Sequence, residues 1–260
     1  MSKEFIRKGE IQDITSYPAW VQALVTRCAA DRETVVNHEV FQLMRDVQLG
    51  KEATHRFMVG VWPTIVQFPQ YMAFNLLKVK YGSSRGHDMA RKFLIRNIRV
   101  EQLHADMWLD WAEASGVARQ EVLQGTAPTT TSVLADWCWG ICSGDNLAAA
   151  MAATNYAIEG ATGEWAEVVC SRDDYALSFS EAQRKPAMRW LRQHAKYDDV
   201  HPWEALEIIT TLMGEEEPAQ QELAHLEQCI RTSYRYMSTT LDDCLKNEAV
   251  PQQDYRVSEA

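Results

Sequence analysis

Phe93, Asn97, Glu101, His104, Trp108 and Trp111 recur at steps of four and three, so a helix through this segment carries all six on one face. Aromatic side chains at both ends turn that face towards a core. The carboxylate and the imidazole in its middle are then buried with it. An unpaired buried charge is costly, so Glu101 and His104 need either each other or a cation. The same helical periodicity runs through most of the chain, and no stretch alternates β-branched residues as a strand would. Only 12 Gly and 8 Pro punctuate 260 residues, which favours long helices with short connections. The chain is therefore expected to be all-α.

Helices are predicted over about 17–29, 32–46, 52–80, 86–115, 130–142, 146–170, 179–198, 202–214 and 217–246. The breaks carry turn chemistry at Gly82-Ser83-Ser84, Gly116, Thr126-Ala127-Pro128-Thr129 and Ser143-Gly144-Asp145, with Asp145 expected to cap the alanine-rich run after it. There is no internal repeat and no low-complexity tract, so residues 1–260 read as one helical-bundle domain with a frayed tail from about 248. A net charge of −10 supplies no dense phosphate-neutralising stripe and argues against nucleic acid as a partner. Six Cys without a C-x-x-C pair read as reduced thiols, and MSKEFIRKGE has no apolar leader core. The expected location is the cytoplasm. Met58 to Leu77 is uncharged over a membrane-spanning length, but it holds Pro63, Pro69, Gln67, Gln70 and Asn75 in a chain of mean hydropathy −0.33. It reads as a buried bundle helix, not a membrane span.

Two further clusters carry metal-competent residues. Glu159 shares a helical face with Ala152, Tyr156 and Gly163, and glycines inside a helix point to a close helix approach or room for a ligand. His194, Asp198 and His201 follow at steps of four and three; Pro202 suits the first turn of a new helix and puts His201 at a kink. Asp199 points about 100° round from Asp198, which favours Asp198 as the donor. Each cluster alone also fits a hydrogen-bonded core. Together, three carboxylates and three imidazoles on apolar stripes match the donor set of a carboxylate-rich two-iron site in a helical bundle. A rival pair, Glu222-x-x-His225, has Gln and Glu neighbours and reads as a solvated first turn. Cys138, between Trp137 and Trp139, and Cys142, one helical turn on, read as core. No G-x-S-x-G, Walker A or G-x-G-x-x-G occurs.

The chain resembles the haem-oxygenase-like diiron oxidases of the TenA/PqqC-type superfamily. The likeness is nearest to the UndA family of 1-alkene-forming, medium-chain fatty-acid decarboxylases. It is carried by Ser16-Tyr17-Pro18-Ala19-Trp20, by Arg96 to Glu101 with His104-Ala105-Asp106, by Ala152 to Trp165, and by His194 to Glu207, and it runs from about residue 10 to 245. The resemblance implies a haem-oxygenase-like bundle with Glu101, His104, Glu159, His194, Asp198 and His201 as metal ligands and catalytic residues. It implies Fe(II), one or two per site with the second labile, and O2 as co-substrate. The implied reaction is oxidative decarboxylation of a medium-chain fatty acid, such as dodecanoic acid to 1-undecene, by β-hydrogen abstraction with an external electron donor. Phe68, Met72, Tyr156, Trp190, Tyr234 and Met237 are candidates for an alkyl slot, with Pro63 and Pro69 kinking their helix to open space. Two alternatives keep the fold: a related diiron enzyme acting on an amino-acid-like amine, and a metal-free TenA-type enzyme with Cys138 as nucleophile. A homodimer is compatible with the chain, with no apolar patch to place its interface.

Overall fold

The computed structural model describes residues 13–127, 129–197, 200–214 and 216–246. Helices α1 (Ala19–Val36), α2 (Glu39–Arg45), α3 (Lys51–Leu77), α4 (Arg85–Glu101) and α5 (His104–Ala114) make the first half. After them come α6 (Arg119–Gln124), α7 (Thr129–Gly144) and α8 (Leu147–Met151), a π-helical turn (Ala152–Ile158) and α9 (Glu159–Cys170). The chain closes with α10 (Asp174–Leu177), α11 (Glu181–Tyr197), α12 (His201–Met213) and α13 (Gln220–Leu245). Among the described residues there is no strand.

Several boundaries differ from the sequence expectation, each for a local reason. The first break falls at 37–38, not 30–31, because the His38 ring caps α2: its Nδ1 accepts the Val40 N–H at 3.3 Å. The segment 86–115 is two helices. Gln102 and Leu103 keep right-handed backbone angles, but the Leu103 N–H reaches back only three residues, to Val100 O at 3.0 Å. This tightened turn separates Glu101, the last residue of α4, from His104, the first of α5. Asp145 does not cap α8. Asn146 does, with Oδ1 accepting the Ala149 N–H at 2.9 Å. The short helices α6 and α10 fall in segments where the sequence predicts no helix. Helix α3 continues through Pro63 and Pro69. No helix is long and apolar enough to cross a membrane.

The core is aromatic where it meets the predicted site. Trp190 of α11 packs with Trp108 and Trp111 of α5 and Trp165 of α9 at centroid distances of 5.1, 5.6 and 5.3 Å. The Trp108 indole N–H donates to Met58 O at 3.0 Å, tying α5 to α3. Helix α11 lies between α5 and α9, and α12 packs on α4 and the π turn. An Arg96–Glu204 ion pair at 2.6 Å clamps α4 to α12. The five helices carrying the described predicted donors, α4, α5, α9, α11 and α12, are thereby held together.

Candidate metal centre

The stripe read from the sequence is buried from Phe93 to Trp111. Glu101, His104, Glu159, His194 and His201 are each only 4–6% exposed. Asp198 lies outside the described residues. Across the α4–α5 turn, His104 Nδ1 meets Glu101 Oε2 at 2.7 Å. Because the carboxylate accepts, Nδ1 carries the proton and the lone pair of His104 sits on Nε2, 3.1 Å from the Gln193 side-chain amide. The His104 and His194 rings lie 4.4 Å apart between centroids, tilted by 52°.

His194 stacks on Trp190 at 3.7 Å, and its Nδ1 donates to the Trp190 carbonyl at 2.8 Å. A carbonyl can only accept, so this bond fixes the tautomer and leaves the lone pair on Nε2. Burial, reinforced by the neighbouring His104 ring, holds His194 well below the ordinary imidazole range, so it stays neutral. Neutral imidazole is the metal-binding form.

Glu159 starts α9 directly after the π turn. Its Oε1 meets His201 Nδ1 at 3.0 Å, and its Oε2 accepts from the Asn155 amide at 3.2 Å. Burial pushes the Glu159 carboxyl up against the opposing hydrogen bond from His201. Burial also opposes charge on His201, but the hydrogen bond and charge of Glu159, with the charge of Glu101, outweigh it and raise that imidazole. His201 begins α12, with Pro202 in the first turn as expected. Gly160 explains how α12 comes so near: a Cβ there would lie 3.2 Å from Pro202 Cβ. The intrahelical glycine thus serves a close helix approach.

Glu101, His104, Glu159 and His194 share one cavity with a mostly apolar wall. Helix α3 contributes Phe57, Val61, Thr64, Ile65 and Phe68 at helical spacing, and α13 contributes Met237, Thr240 and Leu241. Of the alkyl-slot candidates, Phe68, Trp190 and Met237 line this cavity. Met72, Tyr156 and Tyr234 are buried outside its lining. Thr64, Thr162 and Thr240 were not singled out in the sequence. Their signal is a small hydroxyl on an otherwise apolar helical face. Four of the five described donors stand in two hydrogen-bonded pairs, Glu101–His104 and Glu159–His201, with the His194 ring beside His104. Among the described residues, the one group of three metal-competent side chains whose ligand atoms lie within 4.8 Å of one another is elsewhere: Asp145, His225 and Cys229.

The donor set still suits a metal. Hard-to-borderline carboxylate and imidazole donors favour iron or manganese. Asn97, one turn before Glu101, and the Trp190 indole N–H have no hydrogen-bond partner, so this buried region holds polar capacity that the surrounding side chains leave unused.

A family model for an iron-containing redox enzyme matches residues 55–234. A TenA homolog from Pseudomonas syringae pv. tomato str. DC3000 is 48% identical, covers 94% of this chain and 99% of its own, and superposes with a TM-score of 0.88. A domain of unknown function with a heme oxygenase-like fold from Shewanella denitrificans OS217 is 18% identical, with coverage of 91% and 94% and a TM-score of 0.66. A TenA homologue from P. horikoshii OT3 is 12% identical, with coverage of 86% and 97% and a TM-score of 0.66. The last two share the fold. No curated protein matches the sequence.

Proposed function

We propose, since the chain belongs to the family of iron-containing redox enzymes, that it is a non-haem iron, O2-dependent oxidase of the UndA kind, converting medium-chain fatty acids to terminal alkenes. The observation that carries this reading is the buried carboxylate–imidazole cluster on the wall of an apolar cavity. Glu101, His104, Glu159, His194 and His201 would hold the iron, with Asp198 as the sixth ligand implied by the sequence resemblance. Bound there, ferrous iron would supply the redox chemistry with O2 that removal of an unactivated hydrogen β to a carboxylate requires.

The chain's own residues account for the rest. The aliphatic and aromatic wall from α3, α7 and α13 takes an alkyl chain and excludes water. Among the lining residues, the ionisable side chains are the four donors themselves. A substrate with one anionic head and an apolar tail matches such a wall. An amino-acid-like amine would find no further charged partner. The Trp190 carbonyl holds the His194 tautomer, and Asn155 orients the Glu159 carboxylate. Overall the acid gives up carbon dioxide, two protons and two electrons. Full reduction of O2 to water takes four electrons, so an external donor supplies the other two.

The alternative with Cys138 as nucleophile is poorly supported. That thiol is fully buried, does not line the cavity, and is pushed well above its ordinary value by burial, so it offers no thiolate. The test is direct. Protein loaded with ferrous iron under anaerobic conditions receives saturated acids of ten to fourteen carbons and then O2, and the headspace is sampled. The expected product is the 1-alkene one carbon shorter, 1-undecene from dodecanoic acid. Unchanged acid with no alkene would overturn the reading.

A further inference from the structure

Outside the cavity lining, the connection between α7 and α8 meets the N-terminal part of α13. Asp145 Oδ2 lies 2.8 Å from His225 Nε2, and Cys229 Sγ lies 3.8 Å from the same nitrogen. His225 and Cys229 are one helical turn apart, so their side chains project together. The three ligand atoms lie within 4.8 Å of one another.

A cysteine, a histidine and an aspartate suggest a nucleophile relay, but the geometry rules that out. In a relay the thiol faces one ring nitrogen and the carboxylate orients the imidazole through the other. Here both partners converge on Nε2. Donors gathered around a single point are the arrangement of a chelate. We propose that Asp145, His225 and Cys229 form a second metal site that takes a zinc ion, with the fourth position open to solvent.

The donor chemistry selects the metal. One thiolate, one imidazole and one carboxylate are a borderline-soft set that suits zinc, whereas the cavity cluster has only nitrogen and oxygen donors. Tetrahedral zinc with bonds of about 2.0 Å to nitrogen and about 2.3 Å to sulfur needs nitrogen–sulfur separations of roughly 3.5 Å. The observed 3.8 Å requires an adjustment of only a few tenths of an ångström. His225 and Asp145 need to part slightly from their hydrogen bond. The His225 side chain is 46% exposed and lines a shallow cleft with Asn146 and Glu222, which gives an ion a way in. Cys229 is buried behind it. An ion here would pin the 144–146 turn to the first three turns of α13.

Cobalt(II) distinguishes this site from the cavity cluster, because only a thiolate donor gives sulfur-to-cobalt charge-transfer absorption in the near ultraviolet. Titration of the full-length, metal-free protein with cobalt(II) should develop that band at one equivalent, and zinc should then abolish it. Cys229→Ser and His225→Ala should each remove the band at the same cobalt concentration. Asp145→Asn should weaken cobalt binding by about tenfold or more. Circular dichroism on each variant confirms the fold, and His225, being exposed, is the substitution least able to disturb it. No band in the wild type would overturn the proposal. So would a band that survives Cys229→Ser or His225→Ala, or cobalt affinity unchanged by Asp145→Asn.

Discussion

The two donor clusters of this protein differ in every respect that decides what a metal does. The buried cluster draws nitrogen and oxygen donors from five helices, all 4–6% exposed, and borders a cavity walled by aliphatic and aromatic side chains. The Asp145–His225–Cys229 cluster joins one turn to one helix, includes sulfur, and opens to solvent. Burial beside an apolar cavity makes interactions strong and keeps water out, which suits chemistry on a hydrocarbon. An exposed clamp between a turn and a helix suits a structural role. Carboxylate and imidazole alone would not separate the two, since both clusters offer them; the Cys229 thiol and the difference in burial do.

The largest expected contrast is in turnover. His194→Ala should lower alkene formation by well over about 100-fold, since even residues that only orient ligands are worth roughly 10–100-fold. His225→Ala should leave it unchanged. Equal losses in the headspace assay would erase the distinction between the clusters.

Next in size is Asn155→Ala, which removes the amide that orients Glu159 and should weaken iron binding by about 10–100-fold. Equilibrium dialysis under anaerobic conditions reads this, and no change would mean that Glu159 is oriented without it. Val61→Trp narrows the cavity and should shift the preferred acid to shorter chains, at a stability cost of about 1–3 kcal/mol from overpacking. Product profiles across the acid series check the first part and denaturant unfolding the second. Gly160→Ala should be nearly neutral for stability, because a helix-propensity gain of about 1 kcal/mol offsets crowding against Pro202. It should nonetheless weaken iron binding several-fold by pushing His201 from Glu159. The smallest effect concerns the surface cluster. Burial pushes the Cys229 thiol up to about 12, so metal binding there displaces a proton, and cobalt affinity should rise about tenfold per pH unit through the neutral range.

The contrast between the clusters also shows what the sequence could carry. The stripe from Phe93 to Trp111 was legible because aromatic residues at helical spacing mark a buried face regardless of partners. The break inside that stripe was not. Gln102 and Leu103 hold no glycine or proline and stay in the right-handed region, so nothing local announces it. The π turn at 152–158 is equally silent, since it costs one extra residue in a helix whose composition remains helical. Asp145 looked like a cap because an acidic residue ahead of an alanine-rich helix usually is one. Asn146 takes that role and leaves Asp145 Oδ2 for His225. That meeting spans 80 positions and was beyond any local pattern. Glu222-x-x-His225 reads in the sequence as a solvated pair, and both residues are exposed. What that pairing hid was Cys229, one turn on and buried.

The central claim is that iron belongs in the buried cluster, and anaerobic ferrous-iron dialysis of three proteins tests it most directly. Wild type and His225→Ala should bind iron alike, up to two per chain with the second weaker, while His194→Ala loses it. Iron retained in full by His194→Ala, or lost in His225→Ala, would contradict the account.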